Sequence, residues 1–568
     1  MLAVIRKMTD INTRLIYKDF FDGSETIEEM LEYFNQDDLF KICALLNSKV
    51  KLNQSSRDTI NDWFTSQEII KLQASKIKNE ETHIVNTHSN LTLLSHLKNC
   101  NKSKQKLETN DFELKLFKIY LLLNSQQDIF EKLNFPKIRK LDSKEKLSAI
   151  LLQISYHDYD LNNYLLPEIF LTQLIKSIEF LKYIDEELNN HMVSFLKKYN
   201  CKDWQDWIKK LLNLIAPVLN HDNLKYSEIE LKDEDVQDIG AFLDLFCNIL
   251  ELKEKPDFVI LRSNPIFKKS DNSYIIINKL FLVERIFKSI IFEFSLDINK
   301  RVDKANKLKD FRASYCDNFS EQKLLYKFVY NSFPNNSKYV KVDGNQFLNK
   351  NYIGEPDYYV RFKNKVLLFE SKDVILKGDE KQSRDYLTLK EALQSKFLKI
   401  EKDGKTSNKA ILQIIENIKR FLNKFYSKID EDYNPDNIKF YPILVTHDRQ
   451  FDTPELNRLI NKWFRIELEK TFNKSEISRI QDLTILNIDS ILLYQENFKQ
   501  RGINGLEILI NEYHNSIQIK QVKNTDHFKE QYLKTSISFY TFLGNHFDKT
   551  TIKKPKYIAE YLEQLKLE

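Results

Sequence analysis

Glycine and proline are scarce in this chain, and their scarcity restricts its possible folds more than any other feature of the sequence. The 568 residues include 9 glycines and 11 prolines, about 1.6% and 1.9%, whereas globular proteins average roughly 7% and 5%. Both residues mark turns, so long helices with few connections are favoured. The same scarcity disfavours β-propellers, Greek-key sandwiches, collagen-like chains and glycine-loop nucleotide folds as the main architecture.

The glycines are also unevenly placed along the chain. Only Gly23 and Gly240 lie before residue 340, and the other seven follow it. Apolar residues recur with helical spacing up to about residue 250, for example through residues 112–123 and 170–178. We therefore predict an α+β multidomain protein in which a large, mostly α-helical N-terminal region precedes an α/β part.

Changes in this pattern divide the sequence into four segments. Two apolar runs, 258–262 and 273–277, predict strands of a hairpin, and helical spacing follows in residues 280–292. Near the C-terminus, the sequence predicts a strand over residues 482–488 and a final helix from Lys556. The predicted segments are a helical region (1–250), a β-hairpin plus helix connector (251–309), an α/β core (310–450) and a C-terminal α/β extension (451–568).

Composition and cysteine usage indicate a cytoplasmic protein that does not enter membranes. The chain is 42% hydrophobic and 30% charged, it has no run of about 18 apolar residues, and its first 15 residues do not form a signal peptide. The five cysteines are spread singly, so we expect buried apolar residues rather than a disulfide framework. His83, His88, His96 and Cys100 have a spacing that zinc sites also use, which leaves a zinc site as an alternative.

Between residues 319 and 446 the pattern predicts the element order α-β-β-β-α-β. The second and third strands are separated only by Lys363 and Asn364, which predicts a two-residue hairpin. The predicted elements are a helix (320–333), three strands (337–342, 356–362 and 365–372), helical segments to about residue 428 and a buried strand (440–446).

Positive charge is concentrated in this part of the chain. Residues 301–430 contain 27 lysines and arginines against 17 acidic residues, a net charge of +10, while the whole chain carries +5. The rest of the chain therefore carries −5. A local basic region in a nearly neutral protein is typical of a unit that binds a polyanion such as nucleic acid.

The predicted hairpin contains a short motif of charged residues. Pro356 and Asp357 open its first strand, and Glu370, Ser371 and Lys372 close its second. Side chains alternate along a strand, so Glu370 and Lys372 share one face and Ser371 points to the other. The hairpin would bring Asp357 close to Glu370.

This motif resembles that of the PD-(D/E)XK nuclease superfamily, which has a restriction-endonuclease-like αβββαβ core. The resemblance covers residues 310–450 and implies a Mg²⁺-dependent endonuclease, with Mn²⁺ as a substitute metal and DNA as the expected substrate. Asp357 and Glu370 are the expected metal ligands, because Mg²⁺ prefers oxygen ligands. Lys372 is expected to position the attacking water and to stabilise developing charge.

The resemblance also implies a glutamate on the preceding helix and polar residues on the following one. Glu321 is the candidate glutamate, although Asn318 to Glu321 also has the pattern of a capping box. A helix over about 407–425 is expected to bury Ile411, Ile414, Ile415, Ile418, Leu422 and Phe425. Its other face carries Lys409, Gln413, Asn417, Arg420 and Lys424. We expect Gln413, Lys409 and Arg420 to bind substrate, with Gln382 as an alternative to Gln413.

Other functions stay open at this stage. The nuclease core could be a nucleic-acid-binding scaffold without activity, or an RNA nuclease that a partner activates. The sequence shows no Ser-His-Asp arrangement or helicase motif, and His447 with Asp448 at a strand end is a further candidate for substrate contact. A nuclease fused to a helical region suggests restriction or antiphage defence in a bacterium. A homodimer, or a protein partner bound through the N-terminal region, would fit the need to cut two strands.

Overall fold

The described part of the chain is α+β, as the glycine and apolar patterns predict. The computed structural model describes residues 14–49, 55–76, 83–97, 100, 108–127, 140–141, 143–220, 226–247, 255–383, 385–402, 404–518, 535–547, 552–553 and 555–565. The chain forms two compact units. Unit 1 comprises Met1–Leu133, Leu161–Gln173 and Phe195–Glu293, and unit 2 comprises Asn134–Asp160, Leu174–Ser194 and Phe294–Glu568.

Unit 1 is mostly helical, and several of its helices begin at a side chain that caps them. Thr26, Ser55 and Asn86 each accept a hydrogen bond from the first turn that follows, which satisfies an amide with no partner inside the helix. The main helices are Ile27–Leu31, Gln36–Lys49, Ser56–Trp63, Gln67–Lys76, Thr87–His96, Thr109–Gln126, Trp204–Asn220, Ala241–Asp244, Val259–Ser263, Lys279–Glu284 and Lys288–Glu293. Two further helices, Leu166–Glu187 and Asn189–Tyr199, contribute residues to both units.

A three-stranded antiparallel sheet in unit 1 corrects one prediction. Its strands are β1 (Glu228–Glu230), β2 (Ile266–Ser270) and β3 (Ser273–Ile276), in the order β1-β3-β2. The run 258–262, predicted as a strand, instead lies largely in the helix Val259–Ser263. A short apolar run fits a strand and a buried helix equally well, so periodicity could not separate them.

The cysteines also depart in part from expectation. All five are free thiols, but only Cys43 is buried and the other four are half-buried. The prediction of buried apolar residues is therefore confirmed for Cys43 alone.

Unit 2 contains residues 310–450, the segment for which an α/β core is predicted. Its strands are β4 (Tyr339–Asp343), β5 (Tyr358–Phe362), β6 (Lys365–Lys372), β7 (Lys399–Lys402), β8 (Lys405–Asn408), β9 (Lys439–Thr446) and β10 (Thr484–Asn487). Four long helices are α1 (residues 311–331), α2 (Ala410–Leu422), α3 (Leu456–Thr471) and α4 (Ile488–Ser516). Shorter helices are Ser143–Ser155, Asn299–Arg301, Gly344–Leu348, Gly378–Gln382, Tyr386–Phe397, Lys474–Ile477, Phe539–His546 and Tyr557–Gln564.

Five strands of unit 2 form one mixed sheet in the order β10-β9-β6-β5-β4. β4, β5 and β6 are antiparallel neighbours, whereas β6, β9 and β10 run parallel. The hairpin between β5 and β6 turns at Lys363 and Asn364 as predicted, with Phe362 opposite Lys365. Lys363 adopts a φ of 57°, which a tight turn requires.

Helices cover both faces of this sheet. Tyr358 and Tyr359 point to opposite faces because side chains alternate along β5. The ring of Tyr326 on α1 lies 5.8 Å from that of Tyr358, and the ring of Phe421 on α2 stacks on Tyr359 at 4.8 Å. Tyr359 pairs with Leu368, so α2 covers the face that Glu370 and Lys372 share.

The α2 helix is shorter than predicted. It begins at Ala410, because residues 399–408 form the exposed hairpin β7–β8, and it ends at Leu422 just before Lys424 takes a φ of 56°. Ile411, Ile414, Ile415 and Ile418 are buried as predicted. Phe421 completes the buried stripe, whereas Phe425 is 49% exposed.

Asn417 on α2, predicted to lie on the exposed face, is only 1% exposed. Its side-chain oxygen accepts a hydrogen bond of 2.6 Å from the Tyr426 hydroxyl. This bond satisfies the buried side-chain oxygen, which helps a polar residue to occupy the interior.

No helix in the described ranges combines the length and the apolar character needed to cross a membrane.

Candidate active site

Four of the predicted residues meet at one end of the five-stranded sheet. Glu321 comes from α1, Asp357 precedes β5, and Glu370 and Lys372 close β6. The backbone amide of Ser371 donates a hydrogen bond of 2.5 Å to Oδ2 of Asp357. That bond fixes Asp357 beside the end of β6, as the hairpin prediction requires.

Glu370 and Lys372 form a close ion pair. Nζ of Lys372 lies 2.6 Å from Oε1 of Glu370, and the two side chains are 20% and 2% exposed. Burial and then the charge of Asp357 raise the pKa of Glu370 to about 8, although Lys372 opposes the shift. Burial also raises the pKa of Asp357 above its usual value, although the charge of Lys372 and the hydrogen bond from the Ser371 amide act to lower it. Burial disfavours the charged form of Lys372, but the negative charges of Glu370 and Asp357 outweigh this effect and raise the pKa of Lys372 above its ordinary range.

Glu321 belongs to this cluster but does not cap a helix, so the capping-box interpretation is wrong. Asp310 caps α1 by accepting a hydrogen bond from Ala313, and residues 315–325 lie inside the helix with π-type hydrogen bonding. Such widened turns occur often at functional sites. Burial and the charge of Asp357 raise the pKa of Glu321 to about 8.

Tyr326 and Gly344 hold Glu321 in place. The Tyr326 hydroxyl donates a hydrogen bond of 2.5 Å to Oε1 of Glu321. A β-carbon added at Gly344 would lie 2.5 Å from that hydroxyl and 3.6 Å from both Oε1 of Glu321 and the carbonyl oxygen of Asp357. Only glycine leaves room for the tyrosine at this position.

The charges of the cluster fit a divalent cation. Three carboxylates face one ammonium, so two negative charges are left when all of the groups are ionised. Carboxylate oxygens are the ligands that Mg²⁺ prefers, and this ion usually keeps several waters and takes one or two carboxylates. Among the described residues, no three His, Cys, Asp or Glu side chains are arranged to hold a metal ion by themselves. Asp357 and Glu370 stay the predicted ligands of such an ion.

We expect binding of Mn²⁺ to strengthen as the pH rises. Glu321 and Glu370 hold protons in the folded chain between their ordinary pKa of 4.5 and about 8. The metal-free protein should therefore lose stability as the pH rises through that window, since the folded state binds more protons than the unfolded state. A cation binds the deprotonated groups, so its affinity should increase about tenfold per pH unit for each proton released.

Thermal unfolding with and without Mn²⁺ at pH 6, 7 and 8 measures this effect. The increase in Tm on adding Mn²⁺ should grow from pH 6 to pH 8, and it should largely vanish in Glu370→Gln. An increase that is the same at all three pH values would contradict the assignment.

Behind the cluster, on the other face of the sheet, a buried polar network supports the end of β6. Oγ of Ser371 lies 2.8 Å from Nε2 of His447, and Nδ1 of His447 lies 3.0 Å from Oγ of Ser320. The Ser320 hydroxyl donates to Oδ2 of Asp373 at 2.7 Å. Nη2 of Arg312 donates to Oδ1 of the same carboxylate at 2.5 Å. These bonds join α1 to the ends of β6 and β9.

The network places a serine, a histidine and an aspartate together, which the sequence did not show. It does not have the geometry of a hydrolytic triad. Nδ1 of His447 is 3.9 Å from Asp373 with Ser320 between them, and the His447 side chain is only 4% exposed. Arg312 opposes the effect of burial and lowers the pKa of Asp373. His447, a predicted candidate for substrate contact, is instead a buried support of the strand that carries Ser371.

We expect His447→Gln to change the acid stability of the protein. Burial lowers the pKa of His447 to about 4 from 6.5, so the unfolded chain binds more protons than the folded one between these values. The stability contributed by the neutral ring is therefore present above pH 6.5 and lost as the pH falls towards 4. The free energy of unfolding of the parent should fall by up to about 3 kcal/mol more than that of the variant over this pH range. Urea unfolding at half-unit pH intervals measures it, and a difference that does not vary with pH would contradict this assignment.

The residues expected to bind substrate are not drawn into the carboxylate cluster. Gln413 is exposed on the α2 helix, and Lys409 is half-buried just before that helix. Nη1 of Arg420 donates to the carbonyl oxygens of Ile353 and Gly354, at 2.7 and 2.6 Å. Its guanidinium therefore holds the loop that leads to Asp357.

Gln382, the alternative to Gln413, has a buried amide nitrogen with no hydrogen-bond partner among the described residues.

Two further carboxylates near the cluster, Asp317 and Glu355, are not among the predicted site residues. The charge of Asp317 raises the pKa values of Glu321 and Asp357, and that of Glu355 raises the pKa of Asp357. Asp317 lies one helical turn before Glu321, a spacing that would have revealed it if the start of α1 had been predicted correctly.

The histidines of the possible zinc site have other neighbours. Nδ1 of His96 lies 3.4 Å from Oε1 of Glu28, and the ring of His88 packs 5.0 Å from that of Phe258. The described residues of unit 1 thus give no support for a metal site there.

Comparisons with models of protein families, with curated proteins and with solved structures find no match to this chain.

Proposed function

We propose that this protein is a metal-dependent nuclease of the PD-(D/E)XK type that cleaves phosphodiester bonds in nucleic acid, with DNA as the first candidate substrate. One observation carries the proposal. Asp357, Glu370 and Lys372 converge with Glu321 at the end of a mixed sheet, and Lys372 lies 2.6 Å from a glutamate that is 2% exposed. Burying carboxylates against each other opposes folding stability, so such a cluster favours a chemical role.

The surrounding fold supports the same assignment. Three antiparallel strands, β4 to β6, are followed by the helix α2 and the parallel strand β9, and α1 precedes them all. This order supports the proposal of an αβββαβ core of the restriction-endonuclease type. The site lies at the carboxyl end of β6, next to a parallel neighbour, where sheets of this kind commonly carry ligands.

The chain's own residues have distinct roles in the proposed reaction. Asp357 and Glu370 would hold Mg²⁺, which when bound lowers the pKa of a water molecule and neutralises charge on the phosphate. Lys372 keeps its proton, since its pKa is raised, so its ammonium can orient the attacking water and stabilise the charge that develops on the phosphoryl oxygens. Glu321, with its pKa raised to about 8, can take or give a proton near neutral pH.

The proposed substrate class follows from charge. The net charge of +10 in residues 301–430 favours binding of a polyanion. Contacts with phosphates would make the affinity for nucleic acid fall steeply as the salt concentration rises. Neither the sheet nor the carboxylates distinguish DNA from RNA.

Cleavage of a substrate panel by the purified full-length chain tests the proposal. Plasmid DNA, single-stranded DNA, duplex oligonucleotides and RNA are incubated with Mg²⁺, Mn²⁺ or EDTA. The proposal predicts metal-dependent cleavage of at least one substrate. Salt-dependent binding without cleavage would indicate a nucleic-acid scaffold, and cleavage of RNA alone would change the proposed substrate from DNA to RNA. A protein that neither binds nor cleaves any of these substrates would overturn the proposal.

A further inference from the structure

Two serines border the carboxylates of the candidate active site. Ser320 immediately precedes Glu321 on α1, and Ser371 immediately follows Glu370 on β6. The backbone amide of Ser371 also donates the hydrogen bond that holds Asp357. The positions of the two serines therefore constrain the positions of all three carboxylates.

The side chain of His447, which directly follows β9, joins the two serines. Its Nε2 lies 2.8 Å from Oγ of Ser371, and its Nδ1 lies 3.0 Å from Oγ of Ser320. The His447 side chain is 4% exposed, so water has little access to replace either bond. One imidazole ring thus links α1 to the end of β6 behind the site.

The partners of each group define the direction of these hydrogen bonds. Ser320 has one hydroxyl proton and donates it to Oδ2 of Asp373 at 2.7 Å, so its oxygen accepts from Nδ1 of His447. Burial lowers the pKa of His447 to about 4, so near neutral pH the ring carries a single proton, on Nδ1. Nε2 is then an acceptor, and Ser371 donates its hydroxyl proton to it.

An ion pair anchors the other end of this series. Nη2 of Arg312 donates to Oδ1 of Asp373 at 2.5 Å and to the backbone carbonyl oxygen of the same residue at 2.9 Å. Charge-assisted hydrogen bonds are stronger than those between neutral groups, so Asp373 is a firm anchor for Ser320. We call the connected residues Arg312, Asp373, Ser320, His447 and Ser371 the His447 chain.

A second hydroxyl–histidine pair in the same unit provides a reference for such a bond away from the site. Oγ1 of Thr484 lies 2.8 Å from Nε2 of His514, and burial lowers the pKa of His514 to about 4 as well. Thr484 begins β10, which β9 separates from β6 by roughly 10 Å. Neither residue of this pair is next in sequence to a carboxylate of the cluster. The pair therefore has the chemistry of the Ser371–His447 bond without its position.

We propose that His447 is a positioning residue for the metal site: by joining Ser320 to Ser371, it sets the distance between the carboxylate on α1 and those at the end of β6. This inference rests on the proposed nuclease function, and it adds a residue that acts on the reaction only through its neighbours. Replacing residues that hold metal ligands in place typically lowers metal affinity or activity about 10- to 100-fold. We expect an effect of this size from the His447 chain.

Calorimetric titration of Mn²⁺ into the full-length chain, without nucleic acid, tests the inference. Ser371→Ala and Ser320→Ala each cut one arm of the bridge, and each should weaken Mn²⁺ binding about 10- to 100-fold. The double variant should bind Mn²⁺ little more weakly than either single variant, because a bridge cut at one end no longer fixes the separation. Ser371→Thr keeps the hydroxyl and should restore most of the affinity.

Two controls separate positioning from a general loss of structure. Thr484→Val removes the hydroxyl from the reference pair and should bind Mn²⁺ like the parent. The affinity of Ser371→Ala for a duplex oligonucleotide in EDTA should be unchanged, whereas its single-turnover cleavage with Mg²⁺ should slow. Circular dichroism of each variant confirms that it is folded.

Three results would overturn the inference in distinguishable ways. If the parent binds Mn²⁺ and cleaves nucleic acid but both serine variants bind Mn²⁺ as tightly as the parent, His447 only stabilises the fold and the nuclease proposal stands. If Thr484→Val weakens Mn²⁺ binding as much as Ser371→Ala, or if the losses in the two serine variants add fully, the bridge has no specific role. If the parent neither binds Mn²⁺ nor cleaves nucleic acid, both proposals fail together.

Discussion

Glu370→Gln is expected to slow metal-dependent cleavage by roughly a hundred- to a thousandfold, the size of effect seen when one preorganised group that stabilises a transition state is lost. The amide has the shape of the carboxylate but lacks its charge, so it is a poor ligand for a hard divalent cation. It also relieves the repulsion from Asp357 that helps raise the pKa of Glu370 to about 8. The variant should therefore remain folded while activity is lost, and single-turnover cleavage at saturating Mg²⁺ measures the change.

A second glutamate paired with a lysine gives the matched control. Oε1 of Glu401 lies 2.5 Å from Nζ of Lys399 on the exposed hairpin β7–β8. Glu401→Gln removes the same charge from the same kind of pair, and it should cleave like the parent. Glu370→Gln activity within threefold of the parent would remove Glu370 from the active site.

Asp430→Ala is expected to lower the free energy of unfolding by about 3–5 kcal/mol, the usual cost of breaking a buried ion pair by removing one partner. Asp430 is 4% exposed. It accepts hydrogen bonds from Nε and Nη2 of Arg361, at 2.5 and 2.6 Å, and from the Tyr359 hydroxyl at 2.8 Å. Its removal leaves the Arg361 charge buried on β5, one strand from Glu370. Urea unfolding followed by circular dichroism measures the loss.

An exposed ion pair serves as the reference for Asp430. Asp297 lies 2.7 Å from Nε of Arg301, with side chains 35% and 52% exposed. Asp297→Ala should cost no more than about 1 kcal/mol. Equal losses in the two variants would show that Asp430 holds no buried charge in place.

The local part of the site was predictable because it depends on neighbours in sequence. A two-residue turn at Lys363 and Asn364 fixes the register of β5 and β6, and strand alternation then places Glu370 and Lys372 on one face. The structure confirms this hairpin and the position of Asp357 beside it.

The support behind the site could not be predicted from spacing. Ser371 and His447 are 76 residues apart, and they meet only because β6 and β9 are parallel neighbours. Ser320 joins them because α1 begins earlier than its capping-like residues indicate. These contacts depend on tertiary packing, which no local pattern of residues encodes.

Phe425 shows how a small error at a helix end misplaces a side chain. Continuing the α2 helix to residue 425 made this ring part of the buried stripe. The helix instead ends at Leu422, Lys424 adopts a left-handed φ of 56°, and the Phe425 ring turns towards solvent. Helix ends are set by a few local conformations, so their position is the least certain feature of a periodic pattern.

A manganese anomalous difference map from crystals grown with Mn²⁺ would test the central claim most directly. The account predicts an ion held by the carboxylates of Asp357 and Glu370, absent from crystals of the Glu370→Gln protein. A folded, active protein whose anomalous signal lies elsewhere, or which cleaves nucleic acid with no ion at these two residues, would contradict it.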